Sequence, residues 1–451
     1  MKVSPHFPEN YNLLSTKAME TAIYRVPAYK AWKALDPGST VAVDERFQAM
    51  PAVSKRDLRE HTWRNFIPNG ADIDAALQGG EIELVNTSGT IEERVTNVWY
   101  QPWWDASEAA SWRYNSHTAA LKLGNHREAI LTSPMNTGIL SENSLLTLEE
   151  RTLGRFLYLN EKINPAFWDG KLIERIIHEL EIFQPTILEA NPSYLAKVAR
   201  YAHRHNRQVF QPPVITLTYE NPGILSRGHI QKTFRSPLIS SYGSTEAGYV
   251  FMECEQGKLH QVSSCCRIDV EFMRPEYGYP YVGRLLLTTL INPWRSLIRF
   301  DVGDLMQIDP AGSCACGRDD GYVGNGFAGR IADLTYTTDG APVTTATIES
   351  IMTGWESVAE YQVFQQDSIY NINIVLDEEA DTCNFLKEKI IERLLSLYSR
   401  SAVINVRFVE KIETEPSGKY RLTRSNIPVN IDRLFGSGHW ITSNLSLEMV
   451  L

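Results

Sequence analysis

The chain has 451 residues, of which 43% are hydrophobic and 22% are charged, and its formal net charge is −10. This length favours two or three domains, and the composition is typical of a soluble globular protein. The negative net charge argues against general binding to nucleic acid or anionic membranes. No apolar run is long enough to span a bilayer, and the first residues lack the apolar core of a signal peptide, so we expect a cytoplasmic protein.

Residues 1–80 are polar and aromatic with weak periodicity, and we interpret them as helices packed on the domain that follows. From about Ile82 to Asp333, strand patterns alternate with helix patterns. The segments "IELVNTSGT", "PTILEA" and "PPVITLTYE" are typical of strands, whereas "KLIERIIHELEIF" and "PSYLAKVARYAHRH" carry apolar residues at helical spacing. This alternation predicts a layered α/β domain.

The pattern changes after Asp333. The segments "YQVFQQ", "SIYNINIVLD" and "VINVRFVEKI" predict strands, and "NFLKEKIIERLLSLYSR" predicts an amphipathic helix. The sequence therefore predicts an α/β protein in two parts. A large multi-layer N-terminal domain spans residues 1–333, and a small α+β C-terminal domain spans residues 334–451.

Five short stretches carry groups suited to nucleotide chemistry. The first, "NTSGT", follows a strand, and its hydroxyls, including those of Ser88 and Thr90, suit phosphate oxygens. It is not a P-loop, because the Gly-Lys-Ser/Thr ending is missing. The second, "SSYGSTEAG", combines a ring for stacking on a base, a hydroxyl for phosphate and a carboxylate for magnesium. Its candidate residues are Ser241, Tyr242, Gly243, Thr245 and Glu246.

The other three stretches lie further along the chain. In "RFDVGDL", Asp304 follows a glycine and can accept two hydrogen bonds from ribose hydroxyls. In "GRIADL", Arg330 suits a phosphate or ribose, and Asp333 lies where the two domains join. In "EPSGKYRL", Lys419 follows a Pro-Ser-Gly turn of the small domain. Each stretch alone is also typical of an ordinary polar turn, but their order and spacing favour one shared function.

The order TSGT, YGSTE, RFDVGD, GRIAD, PSGKYR resembles the adenylate-forming superfamily of acyl-CoA synthetases, peptide-synthetase adenylation domains and luciferases. Within it, the chain looks most like the phenylacetate-CoA ligase branch. The segments "FQPTILEANPSYLAKVARYA", "RSLIRFDVGDL" and "CACGR" with "GRIADL" carry that finer resemblance. The resemblance covers about residues 80–425.

The resemblance implies a two-step reaction. A carboxylate oxygen attacks the α-phosphorus of ATP to give an acyl-adenylate and pyrophosphate, and a thiol, usually that of coenzyme A, then displaces AMP. It implies that Thr245, Glu246 and Lys419 act in catalysis, with Lys419 contacting the carboxylate and the α-phosphate in the first step only. It also implies that the small domain is mobile, moves between two poses, and turns about Asp333 as the hinge.

One loop departs from the family pattern. Typical members continue the TSGT stretch with another glycine and a lysine, whereas this chain has Glu92 and Glu93. Two carboxylates should repel the β- and γ-phosphates that this loop normally contacts, and Arg94 offers a compensating charge. From this departure we expect weak ATP binding, an unusual loop conformation or lost activity.

The cysteines carry a second signal. Cys254 and His260 fall within "CEQGKLH", and Cys314 and Cys316 form "CAC" in a later loop. Three sulfurs and an imidazole make a tetrahedral zinc set, and some phenylacetate-CoA-ligase-like proteins carry a metal at matching positions. We therefore expect a structural zinc, with Cys265 and Cys266 as spare ligands. The alternative is a set of unconnected thiols in a reducing compartment.

The acid and the acceptor are left open by the sequence. The aromatic stretch "VWYQPWWDASEAASWRYN" suggests an aromatic or apolar acid, although core packing explains most of these rings. The leading hypothesis is an ATP-dependent acid–CoA ligase. The alternatives are an adenylating enzyme that passes its acyl group to a carrier-protein thiol or an amine, and a catalytically silent zinc-bearing protein. We expect no nucleic-acid or membrane partner, and a homodimer is among the possible assemblies.

Overall fold

The computed structural model describes residues 3, 5–86, 95–121, 124–377 and 383–435. Contacts divide the chain into two units. The first unit comprises Met1–Ala119, Ser241–Gly326 and Ile431–Leu451, and the second comprises Ala120–Ser240 and Phe327–Asn430. The domain boundary that we predict after Asp333 falls inside the second unit and stays a prediction.

The described ranges contain α-helices of four to sixteen residues. They are α1 (Tyr11–Arg25), α2 (Val43–Gln48), α3 (Lys55–Glu60), α4 (Ile73–Gln78), α5 (Gln101–Trp112), α6 (Ser116–Ala119), α7 (Pro134–Thr137), α8 (Gly170–Phe183), α9 (Pro192–Arg204), α10 (Ile224–Gln231), α11 (Thr345–Met352), α12 (Cys383–Tyr398) and α13 (Ile431–Phe435). Within these ranges, no helix combines the length and apolar content needed to cross a bilayer.

The strands of the described ranges follow the same chain order. They are β1 (Glu83–Asn86), β2 (Thr96–Trp99), β3 (Glu128–Leu131), β4 (Thr152–Leu153), β5 (Phe156–Tyr158), β6 (Ile187–Ala190), β7 (Val214–Leu217), β8 (Leu238–Ser244), β9 (Gly248–Glu253), β10 (Leu259–Gln261), β11 (Cys266–Phe272), β12 (Val282–Thr289), β13 (Phe300–Ile308), β14 (Val323–Arg330), β15 (Thr335–Tyr336), β16 (Pro342–Val343), β17 (Val358–Gln366), β18 (Ile369–Leu376), β19 (Val403–Phe408) and β20 (Thr423–Ser425).

A parallel sheet forms the centre of the second unit. Its strand order is β8-β7-β6-β3-β5-β4, and only the β4–β5 pair is antiparallel. Leu131 pairs with Ala190 and Ala190 pairs with Leu217, so β3, β6 and β7 end level with one another. Their carboxyl ends therefore form one edge of the sheet, which we call the carboxyl edge.

Helices α8 and α9 pack on one face of this sheet, as the sequence predicts. Asp169 accepts the Leu172 amide hydrogen at 2.9 Å and begins α8, and Asn191 with Pro192 begins α9. Their apolar residues join those of the strands in one buried core. The predicted alternation of strand and helix is therefore confirmed from β3 to α10.

The alternation ends at β8, where the prediction was wrong. Between Ser241 and Gly326 the strand order is β11-β12-β13-β14-β10-β9-β8, and the only helical turn described there is Pro275–Tyr277. The pairs β8–β9, β9–β10, β10–β14, β11–β12 and β12–β13 are antiparallel. Strand β12 is buried along its whole length, so its sequence lacks the polar–apolar alternation of an antiparallel strand with one exposed face. The same unit contains the helices α1–α4, which confirms the predicted helical character of residues 1–80.

The last part of the second unit is a small sheet with the order β19-β18-β17-β20. Strands β17 and β18 pair antiparallel, whereas β19 and β20 join them in parallel. Helix α12 covers this sheet through Leu386, Ile390 and Leu394, which are buried as their spacing predicts. The fold class is therefore confirmed as mixed α/β with a small α+β C-terminal part.

Candidate functional site

Polar side chains gather at the carboxyl edge of the parallel sheet. Ser133 follows β3, Asn191 follows β6, and Glu220 follows β7. Ser133 and Asn191 are buried, and each accepts a backbone hydrogen at the start of the helix behind it. In open α/β sheets, ligands bind beside the carboxyl ends of the strands, so this edge is a candidate site.

The turn that carries Lys419 lies at this edge. The Gly418 amide donates to the Glu415 carbonyl at 2.8 Å, and the Glu415 amide donates to the Lys419 carbonyl at 2.9 Å, which closes the turn. The Tyr194 hydroxyl donates to the Gly418 carbonyl at 2.7 Å. The turn lies between β19 and β20, close to the start of β20.

Glu220 contacts the same turn. Its Oε1 accepts the Tyr420 amide hydrogen at 2.9 Å, and its Oε2 accepts the Ser193 hydroxyl at 2.7 Å. Burial raises the pKa of Glu220, and the nearby Lys419 ammonium opposes that rise. Half-buried Lys419 therefore lies in the field of a buried carboxyl group at the carboxyl edge.

The predicted hinge residue contacts the same segment. Arg421 donates from Nε to Asp333 Oδ1 at 2.6 Å and from Nη2 to the Ala332 carbonyl at 2.7 Å. Burial raises the pKa of Asp333, and the guanidinium groups of Arg421 and Arg330 counteract that rise. Arg330 itself is exposed at the end of β14. The hinge role of Asp333 stays a prediction.

The candidate nucleotide residues of the first unit lie on β8, on β13 and in the turn before β9. The Tyr242 hydroxyl donates to Asp304 Oδ2 at 2.7 Å, so these two predicted residues meet. A Cβ at Gly243 would lie 2.7 Å from the Gly248 carbonyl oxygen, which explains the glycine at this irregular pair of β8 and β9. Half-buried Thr245 lies in the turn that follows.

Glu246 is buried in the same turn and has a charged neighbour. Its Oε1 lacks a hydrogen-bond partner among the described residues, although the side chain is only 3% exposed. Burial lowers the pKa of Arg295 to about 10, and the Glu246 carboxylate opposes that fall. A buried carboxylate oxygen without a partner suits a cation or a water ligand.

Two predicted phosphate-binding residues, Ser88 and Thr90, lie outside the described residues. The same holds for Glu92, Glu93 and Arg94. The expectation that the two glutamates alter ATP binding stays a prediction.

The four predicted zinc ligands form one cluster in the first unit. The ligand atoms of Cys254, His260, Cys314 and Cys316 all lie within 4.8 Å of one another. Cys254 Sγ is 3.7 Å from Cys314 Sγ, and Cys316 Sγ is 3.3 Å from His260 Nε2. Burial lowers the pKa of His260, which keeps the ring neutral and its lone pair available to a metal.

The surroundings of the cluster fix its position. Cys254 follows β9, His260 lies on β10, and the other two thiols lie in the loop between β13 and β14. The ring of Tyr114 stacks on His260 at a centroid distance of 5.9 Å. The Gln256 amide donates to Cys254 Sγ at 3.4 Å. This donor set fits a tetrahedral zinc ion, and the ion itself stays a prediction.

The spare ligands Cys265 and Cys266 take no part in the cluster. Cys265 Sγ contacts the Ser264 hydroxyl at 3.7 Å, and the Cys266 thiol donates to the Arg267 carbonyl at 3.3 Å. Burial raises the pKa of Cys266 above its usual range, as expected for an unreactive core thiol.

The aromatic stretch near α5 is mainly core. Trp103, Trp112 and Tyr114 are less than a tenth exposed. Trp99 and Trp104 are half-buried, and their rings contact each other at a centroid distance of 4.4 Å and an interplanar angle of 36°. Packing therefore accounts for most of these rings, as the sequence indicated, and the substrate class suggested by them stays a prediction.

Three residues at the carboxyl edge were missed by motif reasoning. Glu220, Tyr194 and Arg421 each bond to the Lys419 turn or the hinge residue. Arg421 follows Lys419 within the quoted motif and offered the only sequence signal. The other two contact backbone atoms of the turn, and such contacts leave no pattern of side-chain types.

The chain is similar in sequence to CapK. The sequence family described as "CapK C-terminal domain" matches residues 335–426. The curated protein CapK of Staphylococcus aureus is 26% identical over 278 residues, which are 60% of this chain and 59% of CapK. The chain thus matches about three fifths of the length of that relative.

Solved structures of a 2-hydroxyisobutyryl-CoA ligase share the fold. The ligase in its postadenylation state with 2-HIB-AMP superposes with a TM-score of 0.64 at 16% identity, covering 90% of this chain and 87% of the ligase. An open conformation with 2-HIB-AMP and CoA gives a TM-score of 0.55 at 15% identity, covering 93% and 90%. The chain therefore shares the fold of this 2-hydroxyisobutyryl-CoA ligase.

Proposed function

We propose that this protein is an AMP-forming acid–thiol ligase that activates a carboxylic acid with ATP and transfers it to coenzyme A. The observation that carries the proposal is the position of the Lys419 turn at the carboxyl edge of the parallel sheet. That edge is where open α/β sheets bind ligands, and the chain shares the fold of the 2-hydroxyisobutyryl-CoA ligase.

In the first step, a carboxylate oxygen forms a bond to the α-phosphorus and pyrophosphate leaves. The reaction needs charge neutralisation and in-line positioning more than proton transfer. Lys419 supplies a point charge on a flexible stem, which suits contact with both the carboxylate and the α-phosphate. In the second step, the thiol sulfur bonds to the acyl carbon, AMP leaves with the bonding electrons, and the thiol proton passes to solvent.

We assign nucleotide binding to the residues that the motifs indicate, including Arg330. Tyr242 offers its ring to the base, Thr245 offers a hydroxyl to phosphate, and Asp304 accepts from the ribose. Buried Glu246 has an oxygen to offer to magnesium, whose charge would neutralise the phosphates. Ser88, Thr90, Ser241 and Gly243 complete the proposed phosphate loops.

We assign a structural role to zinc held by Cys254, His260, Cys314 and Cys316. Because all four positions of a tetrahedral ion would be filled by protein atoms, no position is left for a substrate or water. The ion would tie the loop after β9 to the loop before β14 and would take no part in the reaction.

The proposal is tested by the release of pyrophosphate. Purified protein with ATP and magnesium is offered a panel of aromatic, aliphatic and hydroxy acids, first without and then with coenzyme A. We expect acid-dependent pyrophosphate release with at least one acid and a CoA thioester when coenzyme A is present. A product formed only with a carrier protein or an amine would show that this compound, and not coenzyme A, is the acceptor. No release with any acid would overturn the assignment as a ligase.

A further inference from the structure

Glu220 is a buried carboxyl group that the family motifs do not include. It lies between β7 and α10, at the carboxyl edge of the sheet. Its Oε2 accepts the hydroxyl hydrogen of Ser193, in the first turn of α9, which fixes the side chain to the start of that helix. The other oxygen, Oε1, accepts the Tyr420 amide hydrogen at 2.9 Å.

The two halves of this arrangement come from distant parts of the chain. Glu220 and Tyr420 are 200 residues apart, and the bond joins a side chain of the sheet edge to a backbone amide of the Lys419 turn. The amide adjoins Lys419, so one carboxylate can hold the turn through Oε1 and attract the ammonium through its charge. The Tyr194 bond to Gly418 holds the other side of the turn.

We propose that Glu220 is a positioning residue that holds the 415–422 turn, and with it the Lys419 ammonium, at the carboxyl edge for adenylation; this rests on the proposed function. Before substrate binds, the Glu220 carboxylate attracts the ammonium. When the acid and ATP bind, their oxygens compete for Lys419 while the Tyr420 amide stays bonded to Glu220. The turn then remains in place as the ammonium changes partner.

The isosteric variant Glu220→Gln removes the charge and retains the size of the side chain. We expect adenylation to slow by about 10- to 100-fold, the range for loss of a hydrogen bond to a charged group. Thioester formation from supplied acyl-adenylate should be unchanged, because Lys419 is not needed there. The matched control is Glu128→Gln, which removes a buried carboxylate of the same sheet that bonds to His126 at the opposite edge.

The pH dependence distinguishes positioning from a merely structural role. The charged or titratable groups that face Glu220 are Lys419, Tyr420 and Tyr194, and the last two are neutral below pH 10 because burial raises their pKa values. The wild-type adenylation rate should fall as the pH drops through the raised pKa of Glu220, because protonation removes the charge that attracts Lys419. The Glu220→Gln variant should lack this acid limb. An acid limb that is identical in both proteins would contradict the proposal.

A measurement without ATP separates this inference from the proposed function. Lys419 is acetylated with acetic anhydride at pH 7.5, and the extent is read by mass spectrometry. We expect faster acetylation of Lys419 in Glu220→Gln than in the wild type or Glu128→Gln. Equal labelling in folded proteins would overturn the positioning role. Faster labelling with no pyrophosphate release by the wild type would retain it and reject the ligase.

Folding of the variants is checked by thermal melting. If Glu220→Gln does not fold, Glu220→Asp takes its place, because it keeps the charge but shortens the reach to Tyr420. That variant should retain the acid limb and still show faster acetylation of Lys419. Acetylation of Lys419 at the wild-type rate in a folded Glu220→Asp variant would contradict the proposal.

Discussion

Gly418 is the residue on which the conformation of the Lys419 turn depends most directly. Its φ of +82° lies in the left-handed region that favours glycine. A Cβ there would overlap the Ser133 hydroxyl and lie 2.7 Å from the Tyr194 hydroxyl. The residue before the lysine must therefore lack a side chain for the turn to lie at the carboxyl edge.

The Gly418→Ala variant tests this requirement. We expect the free energy of unfolding to decrease by about 1–3 kcal/mol, because of backbone strain and overlap with Ser133. Adenylation should also be slower, because both effects displace the turn from the carboxyl edge. The control is Gly278→Ala, which has a φ of +75° but nothing within 4 Å of the added carbon. Urea unfolding and pyrophosphate release are measured for both. Equal effects in the two variants would show that the contact with Ser133 is unimportant.

The four-residue Cys/His cluster acts at the level of elements, because it joins two loops. Without a metal, three sulfurs and an imidazole would gather with only weak mutual attraction. With zinc, the loop that follows β9 and the loop that precedes β14 become cross-linked.

We expect purified protein to contain about one zinc per chain, and Cys316→Ser to lose most of it and to melt at a lower temperature. The change removes one thiolate ligand of the proposed set. Cys265→Ser is the control, since that thiol lies outside the cluster. Elemental analysis and thermal melting are the measurements. Wild-type protein without zinc, or a Cys316→Ser variant with full zinc content, would contradict this account.

A second contact between elements holds the small C-terminal sheet to helices α9 and α10. Arg200 on α9 pairs with Asp377 at 2.6 Å and with Glu360 at 3.0 Å. His229 on α10 is buried, with Nδ1 3.6 Å from Asp377 and Nε2 3.2 Å from the Val358 carbonyl. These partly buried ion pairs attach the sheet that carries the Lys419 turn to the helices of the larger sheet.

This contact predicts a loss of stability in acid. Burial lowers the pKa of His229, although Asp377 opposes that fall, while Arg200 and Lys232 add to it. The unfolded chain therefore binds a proton near pH 6.5, whereas the folded protein binds it only at lower pH. The free energy of unfolding should decrease as the pH falls below about 6.5.

The His229→Gln variant should lack that part of the decrease, as measured by urea unfolding at pH 7.5 and 5.5. The control is His178→Gln, because that imidazole is about two thirds exposed on α8. An equal decrease between the two pH values in wild type and His229→Gln would contradict the assignment to His229.

At the scale of the whole molecule, the sequence predicted what local patterns encode. The apolar spacing of α8, the Asn-Pro start of α9 and the apolar strand β6 each depend on neighbouring residues, and each was predicted correctly. The Cys/His cluster could also be predicted from the sequence, because cysteine and histidine are distinctive metal ligands.

Long-range contacts could not be predicted in the same way. The bond between Glu220 and the Tyr420 amide depends on how two distant segments meet, and a backbone donor leaves no trace in the residue types. The antiparallel strands between Ser241 and Gly326 were missed because β12 is buried on both faces, which removes the alternation typical of antiparallel strands.

The central claim is that Lys419 stabilises the charge that develops during adenylation, and the two half-reactions of Lys419→Ala test it most directly. Pyrophosphate release with ATP and acid is compared with thioester formation from synthetic acyl-adenylate and coenzyme A. The control is Lys389→Ala, which removes a half-exposed lysine of α12 that pairs with Glu392. We expect adenylation to fall by about a hundred- to thousand-fold, with thioester formation and the control unchanged. Adenylation at the wild-type rate would contradict the account, because Lys419 would then be only a polar residue on a turn.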